Sequence, residues 1–443
     1  MTAVQSPVSS SRKILSGAAG AFAVQVVGAG LGVFAHLFIA RNLGQAQYGV
    51  YALMLSWVSL LAAFSQIGQD VAVIRFVPIY LANHQWALIK GLRRGVGSLV
   101  FLVSSIVALG GCAFVYTTSG DHDATWRATF YIGFAMLPVL TQLQQSGALH
   151  RAFKRAISAG LYINIVRPML TVGLVGLFAL TAPDMDSRSA AWASTLAAVL
   201  AVLLSTWSMS RDWPPQARDI SPNYDLRSWS RLGLQLSALS IFVIAGNRLD
   251  VLFLGALADS DQLAAYYVAV QIAVFGMFGV QAANVLLAPM IAERYAREDL
   301  AGLEAVARQS AWIGFAVAVG ATLFFAVAGE FLLGLFGRGF TSAYVPLMIL
   351  LCGYSLVTAL GEVGFMLSMT NFQSHAAAFV LLGIVINSIA SVILVPKFGS
   401  TGAAIGATLS LLTWRLCAFF FVLRRMHVNP SIVGNRMFSG RGR

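Results

Sequence analysis

The sequence predicts an all-α integral membrane protein, with about twelve transmembrane helices divided six and six. Three observations predict it. Hydrophobic residues make up 58% of the 443-residue chain and charged residues only 10%, where a soluble domain carries about 25% charged. Apolar stretches of about 20 residues, long enough to cross a bilayer, recur from end to end. Basic residues gather beside alternate ends of those stretches, as the positive-inside rule describes.

In chain order the expected spans are 14–40, 47–69, 96–117, 127–148, 157–181, 190–210, 232–257, 263–292, 310–329, 341–369, 375–396 and 401–423. The first follows basic residues, as in a signal peptide, but it outruns an h-region of about 7–15 residues. It therefore reads as an uncleaved span. Several spans exceed about 25 residues, which predicts tilt or extension beyond the hydrocarbon. Pro138 and Pro168 lie well inside their spans and are expected to kink them, because proline lacks the amide that the helix needs. The eighth contains Gln271, Gln281 and Asn284, so part of it is expected to face a cavity or leave the hydrocarbon.

An even number of spans puts both termini on one side. With that side cytoplasmic, the inner segments hold 21 of the 29 basic residues and the outer segments 5. Arg167, Arg248 and Arg415 remain within spans. The longest loops, 70–95, 211–231 and 293–309, all fall inside, and no outer loop has room for a domain. The Pro-rich stretch RDWPPQARDISPNYDLRSWSR is read as a cytoplasmic linker, 211–231. It separates an N-terminal lobe, 1–210, from a C-terminal lobe, 232–423, with a basic cytoplasmic tail at 424–443. The entries into spans two and eight echo each other, which suggests a parallel repeat about the membrane normal. The net charge of +12 is read as membrane bias, with no nucleic acid as partner. Cys112, Cys352 and Cys417 form no disulfide framework and no metal spacing.

No P-loop, HExxH or CxxC occurs, so no catalytic residues, metal or cofactor are expected. Glycine-rich GAGLG and GATLS lack strand context and read as close helix packing. The sharper signal is charge inside the spans: Arg167 before Pro168, Arg248 and Asp250 in LSIFVIAGNRLDVLFLGAL, Glu362, and Arg415. An ionisable group at mid-bilayer costs about 2.5–3.5 kcal/mol even on the mildest scale, so each must face protein or water. Arg248 and Asp250 are two residues apart, about 200° around a helix, and need not face each other. Arginine binds phosphate oxygens as a fork. Two arginines from different halves, Arg167 and Arg248, could hold a diphosphate between them. Asp250 and Glu362 either couple to a cation or proton or balance the arginines. Arg415 either snorkels to the inner interface or faces the cavity. Asn247, Gln271, Asn284 and Asn387 are expected to line the same cavity and meet sugar hydroxyls. His36, near the outer end of its span, reads as a packing residue or a proton carrier. Gln142, Gln144 and Gln145 stand above a basic inner turn, where headgroup contact and plain capping are both open.

FIARNLGQAQYGVYALMLSWVSLLAAFSQIGQDVAVIRFVP resembles the N-terminal signature of polysaccharide-biosynthesis membrane proteins. There the first span ends in an Ala-Arg-x-Leu-Gly turn, here Ala40, Arg41, Leu43 and Gly44, and Tyr-Gly-x-Tyr opens the second, here Tyr48, Gly49 and Tyr51. NRLDVLFLGALADSDQLAAYYVAVQIA resembles the start of that family's second half, and KFGSTGAAIGATLS its last turn and span. The family stands with lipid-linked oligosaccharide flippases and multidrug and toxin extruders. The resemblance implies twelve transmembrane helices in two six-helix lobes around a central cleft, and export of a polyprenyl-diphosphate-linked sugar repeat across a bacterial inner membrane. The acidic residue of many drug extruders' first span is missing. The arginine-rich first lobe of lipid II flippases is thin, with only Arg41 and Arg167 to stand in.

The expected function is therefore a flippase for O-antigen or exopolysaccharide biosynthesis. It is a multi-pass inner-membrane protein and no enzyme. Its partners are the lipid-linked oligosaccharide, membrane lipids, and the polymerase and glycosyltransferases of the same pathway. Diphosphate and cleft contacts are expected from Arg167, Arg248, Arg41, Arg415 and Asn247. Coupling or charge balance is expected from Asp250, Glu362 and His36. The rival is a MATE-like, cation-coupled multidrug or small-molecule antiporter, in which Asp250 or Glu362 would dominate. A membrane glycosyltransferase or polymerase would need acids or histidines in sizeable outer loops, which this chain lacks.

Overall fold

The computed structural model describes residues 7–118, 120, 123–181, 184–278, 290, 293–294, 297, 299–369 and 372–434. Those residues form helices and turns, with no strand among them. Two compact units divide the chain, Met1–Ala238 and Leu239–Arg443. Seven helices among the described residues are long and apolar enough to cross a membrane: Gly20–Gln66, Trp86–Thr118, Ala156–Thr181, Ser187–Arg211, Leu300–Gly334, Arg338–Ala359 and Gln373–Met426.

In the first unit, α1 (Pro7–Gln66) covers the first two expected spans and bends between them at Gly44 (φ 73°, ψ 172°). A side chain would resist that backbone, which is the reason for glycine there. Tyr48 and Tyr51 follow it and are buried. A second break, at Ile67 and Gly68 (φ 47° and 69°), leads into α2 (Gln69–Ala82). His84 (φ 53°) then turns the chain into α3 (Trp86–Thr118). The expected inner loop 70–95 is thus almost wholly helical. Its apolar residues explain the difference, since Val73, Val77 and Tyr80 are buried in one core with Ile89, Leu92 and Val96.

Helix α4 (Ala124–Ala152) begins at Asp123, whose side chain accepts from the Trp126 amide at 2.7 Å. It packs against α1, α2, α3 and, later in the chain, α7 (Ser187–Arg211). Pro138 lies inside α4 without interrupting it, so the kink expected there does not break the helix. Pro168 has the larger effect. Between α5 (Ala156–Gly160) and α6 (Arg167–Thr181) the chain makes a π turn, Leu161–Val166. Widened turns of this kind absorb a mismatch in the amide ladder.

The segment after α7 is a strap over the start of α3. The Asn223 amide donates to Ala87 O at 2.9 Å, Lys90 Nζ to Arg218 O at 2.5 Å, and Trp229 Nε1 to the Tyr80 hydroxyl at 2.9 Å. Arg155 pairs with Asp212, and its hydrogen bond holds that exposed carboxyl below the usual carboxylate range. A Cβ on Gly91 would lie 1.7 Å from Asn223 O. Gly91→Ala should therefore push the strap off α3 and lower stability by about 1–3 kcal/mol, the range for overpacking. Thermal unfolding of the purified variant checks this; an unchanged melting temperature would show that the strap is not held there.

The boundary between the units falls within α8 (Leu226–Leu257). In the second unit, α9 (Ser260–Ala273) ends in a 3-10 turn, Val274–Met277. Most of the remainder of the expected eighth span, including Gln281 and Asn284, lies outside the described residues. Helix α10 (Leu300–Gly334) is capped by Asp299, which accepts from the Gly302 amide at 2.9 Å. After a 3-10 turn, Arg338–Ala343, come α11 (Tyr344–Ala359) and α12 (Val363–Met369). The expected continuous span 341–369 is therefore broken. Gly361 (φ 81°) makes the break, and a Cβ there would meet Pro430 O at 2.4 Å. Helix α13 (Gln373–Phe421) joins the last two expected spans through one non-helical residue, Gly399, and passes into a π turn, Val422–Met426. Leu303, Val306, Val363, Met366, Ala418 and Val422 close the apolar core of this end of the unit.

Candidate functional site

The second unit encloses a cavity of about 460 Å³ among α8, α9, α11 and α13. Its polar wall is made by Asn247, Arg248 and Asp250 of α8, Gln271 of α9, Tyr354 of α11 and Arg415 of α13. Asp250 and Arg415 are buried, and the other polar groups share the wall with apolar residues such as Val243, Leu350 and Ile384. In such surroundings a polar group must find a partner or face water.

The three charges meet that requirement differently. Asp250 is 5% exposed. Its Oδ2 accepts from the Tyr266 hydroxyl of α9 at 2.5 Å, while Oδ1 has no hydrogen-bond partner among the described residues. Arg415 is equally enclosed. Its Nη1 donates to Glu362 Oε1 at 3.3 Å, and its guanidinium lies over the Trp414 ring, 4.4 Å from the centroid. Arg415 therefore does not snorkel. Burial beside an acid and an aromatic face satisfies its charge within the protein. Arg248 is half-buried and makes no ion pair among the described residues. Of the two cavity arginines, Arg415 has a carboxylate at ion-pair distance among the described residues, whereas Arg248 has none at that distance and feels the charge of Asp250 from further off. Asn247 is exposed beside it, and Gln271 adds a second amide.

Other expected residues lie elsewhere. Asn387 does not line this cavity. It is buried within α13, where its Oδ1 accepts from Ser391 at 3.1 Å. Glu362 is not among the residues lining the cavity and pairs with Arg415, which does line it. In the first unit, Arg167 is half-buried at the start of α6 and Arg41 is exposed just before Gly44. His36 Nδ1 and the Tyr48 hydroxyl are 3.1 Å apart and share a hydrogen bond. The glutamines of α4 divide. Gln144 Oε1 accepts from Gln66 Nε2 at 3.2 Å, while Gln142 and Gln145 line a cavity of about 100 Å³ with Arg93 and Ser146.

Tyr266 and Tyr354 were not singled out as site residues by sequence. Both stand in apolar helices, where a tyrosine reads equally as packing or as an interfacial anchor. The only available signal was an intramembrane acid that needed a donor from another helix.

The model of the polysaccharide biosynthesis protein family matches residues 14–294. A curated relative, described as a probable low-salt glycan biosynthesis flippase, Agl15, of Haloferax volcanii, is 24% identical over 396 residues, covering 88% of this chain and 79% of its own. Among solved structures, an inward-facing multidrug resistance MATE family transporter of the MOP superfamily superposes with a TM-score of 0.74 at 14% identity, over 90% of this chain and 94% of that one. An outward-facing transporter of the same description gives 0.68 at 14% identity, over 93% and 95%. These structures share the fold.

Proposed function

The chain belongs to the polysaccharide biosynthesis protein family, and from that premise we propose that it is a flippase for a polyprenyl-diphosphate-linked oligosaccharide. The diphosphate binds Arg248, the glycan contacts Asn247 and Gln271, and the prenyl tail stays in lipid. Arg167 and Arg41 serve the same headgroup from the first unit, Arg415 with Glu362 shapes the cavity wall, and His36 takes part in charge balance or coupling. Twelve spans in two six-helix lobes, alternating access, and cytoplasmic termini at a bacterial inner membrane complete the reading. The cargo is the repeat unit of an O-antigen or exopolysaccharide, passed from glycosyltransferases to a polymerase. One observation carries it: an arginine with no ion pair among the described residues borders a cavity two of whose helices, α11 and α13, are apolar enough to cross a membrane. Deletion of the gene tests it. Lipid-linked repeats should accumulate on the inner leaflet; their normal appearance on the outer leaflet would overturn it.

Asp250 favours a second reading, cation-coupled antiport of a drug or small molecule, because it lines the cavity and one of its buried oxygens has no hydrogen-bond partner among the described residues. Asp250→Asn separates the two. Asparagine keeps an oxygen for the Tyr266 hydroxyl and removes the charge. The flippase reading, in which Asp250 serves coupling or charge balance, expects any loss to fall on surface polymer and drug tolerance to stay unchanged. Loss of drug tolerance with intact polymer would favour the antiporter.

A further inference from the structure

The first unit carries a second cavity, about 360 Å³, that the flippase reading does not use. Lys90, Arg93 and Arg94 of α3 line it with Arg218 and Trp213 of the strap, and no carboxylate lines it among the described residues. The nearby acid Asp212 is committed to Arg155. Positive-inside bias accounts for basic residues at this face. It does not account for four cations on one concave wall.

Their place on α3 sharpens the point. The first turns of a helix carry a partial positive charge and unpaired amides, which favour acidic side chains. The first turn of α3 has none. Lysine and arginine follow instead, adding to the positive end. Two of the side chains are held in place: Lys90 donates to Arg218 O at 2.5 Å, and the Arg93 guanidinium lies 4.6 Å from the centroid of the buried Trp213 ring. Arg93 feels the like charge of Arg94 as well, and an anion between such charges relieves their repulsion. Arg93 also lines the small glutamine cavity, so the basic cavity adjoins the polar interior of the unit.

We propose that Lys90, Arg93, Arg94 and Arg218 form a binding site for the phosphate headgroup of an anionic lipid. The site is independent of the cargo taken by the second unit. Trp213 supplies an apolar wall for the glycerol end of the lipid, and the strap sets the site's width.

Native mass spectrometry of the full-length protein in detergent, supplied with phosphatidylglycerol or phosphatidylcholine, tests the proposal. Wild type should retain phosphatidylglycerol over phosphatidylcholine. The triple variant Lys90→Gln, Arg94→Gln, Arg218→Gln should lose that preference by at least about tenfold, given the attraction of each basic residue for anionic lipid. Arg424→Gln with Arg425→Gln, on the π turn of the second unit, should leave it unchanged. Arg94→Gln alone, at an exposed position, gives a smaller loss and guards against misfolding of the triple variant. A polyprenyl diphosphate arm distinguishes the sources. Loss of that ligand in the same variant makes cargo the occupant and overturns the proposal, and loss of phosphatidylglycerol alone makes the occupant a bilayer lipid and supports it. Equal retention by wild type and triple variant, or equal loss in the Arg424 and Arg425 variant, would overturn the proposal. Translocation is not read here, so failure leaves the flippase reading untouched.

Discussion

Arg248→Ala is expected to reduce surface polysaccharide about ten- to hundredfold while the protein's level in the membrane holds, because a hydrogen bond to a charged group is worth about 1.5–3 kcal/mol. The fold should survive, since Arg248 forms no ion pair among the described residues and is only half-buried. Arg248→Lys keeps the charge and loses the fork, so it should fall between the two. Surface polymer assayed against immunoblotted protein makes the comparison. Normal polymer in the alanine variant would remove Arg248 from the site.

Glu362→Ala should act on stability instead. It leaves Arg415 buried, at 9% side-chain exposure, without its carboxylate. Breaking a buried pair by removing one partner costs about 3–5 kcal/mol, because the remaining charge stays uncompensated. Thermal unfolding in detergent should show a large drop. Replacing both partners, Glu362→Met with Arg415→Met, removes the stranded charge and should recover most of the loss. A double variant no more stable than Glu362→Ala would mean that the Trp414 stacking matters more than the pair.

Much of the fold was legible because a bilayer makes apolarity so explicit. The turn at Gly44 and the entry into α7 coincide with expected span ends. The break at Gly68 falls at the expected end of the second span, 69, whereas that at Gly361 was not legible, because it rests on a local left-handed backbone inside a stretch expected to be one span, 341–369. The loop expected at 70–95 became helix for a related reason. Its arginines and lysine mark the membrane's edge, yet α-helices continue past that edge while their apolar faces are covered.

The site was legible as a set of charges and not as a geometry. Arg248, Asp250, Asn247, Gln271 and Arg415 border one cavity, as intramembrane cost alone suggested. The pairing of Arg415 with Glu362 spans 53 residues, and that of Asp250 with Tyr266 joins two helices. Which face each helix turns to its neighbour decides both, and a one-dimensional pattern of apolar residues nearly uniform around the helix does not encode it. Asn387 shows the same limit from the other side, being polar, central to its span and turned into packing.

The account centres on Arg248 as the charge that carries a diphosphate headgroup through apolar surroundings. Purified protein in liposomes, given a fluorescent polyprenyl-diphosphate oligosaccharide and an external quencher, reads that step directly. Wild type should move the lipid between leaflets, and Arg248→Ala should do so at least about tenfold more slowly. Equal rates in the two proteins, or no movement in wild type, would contradict it.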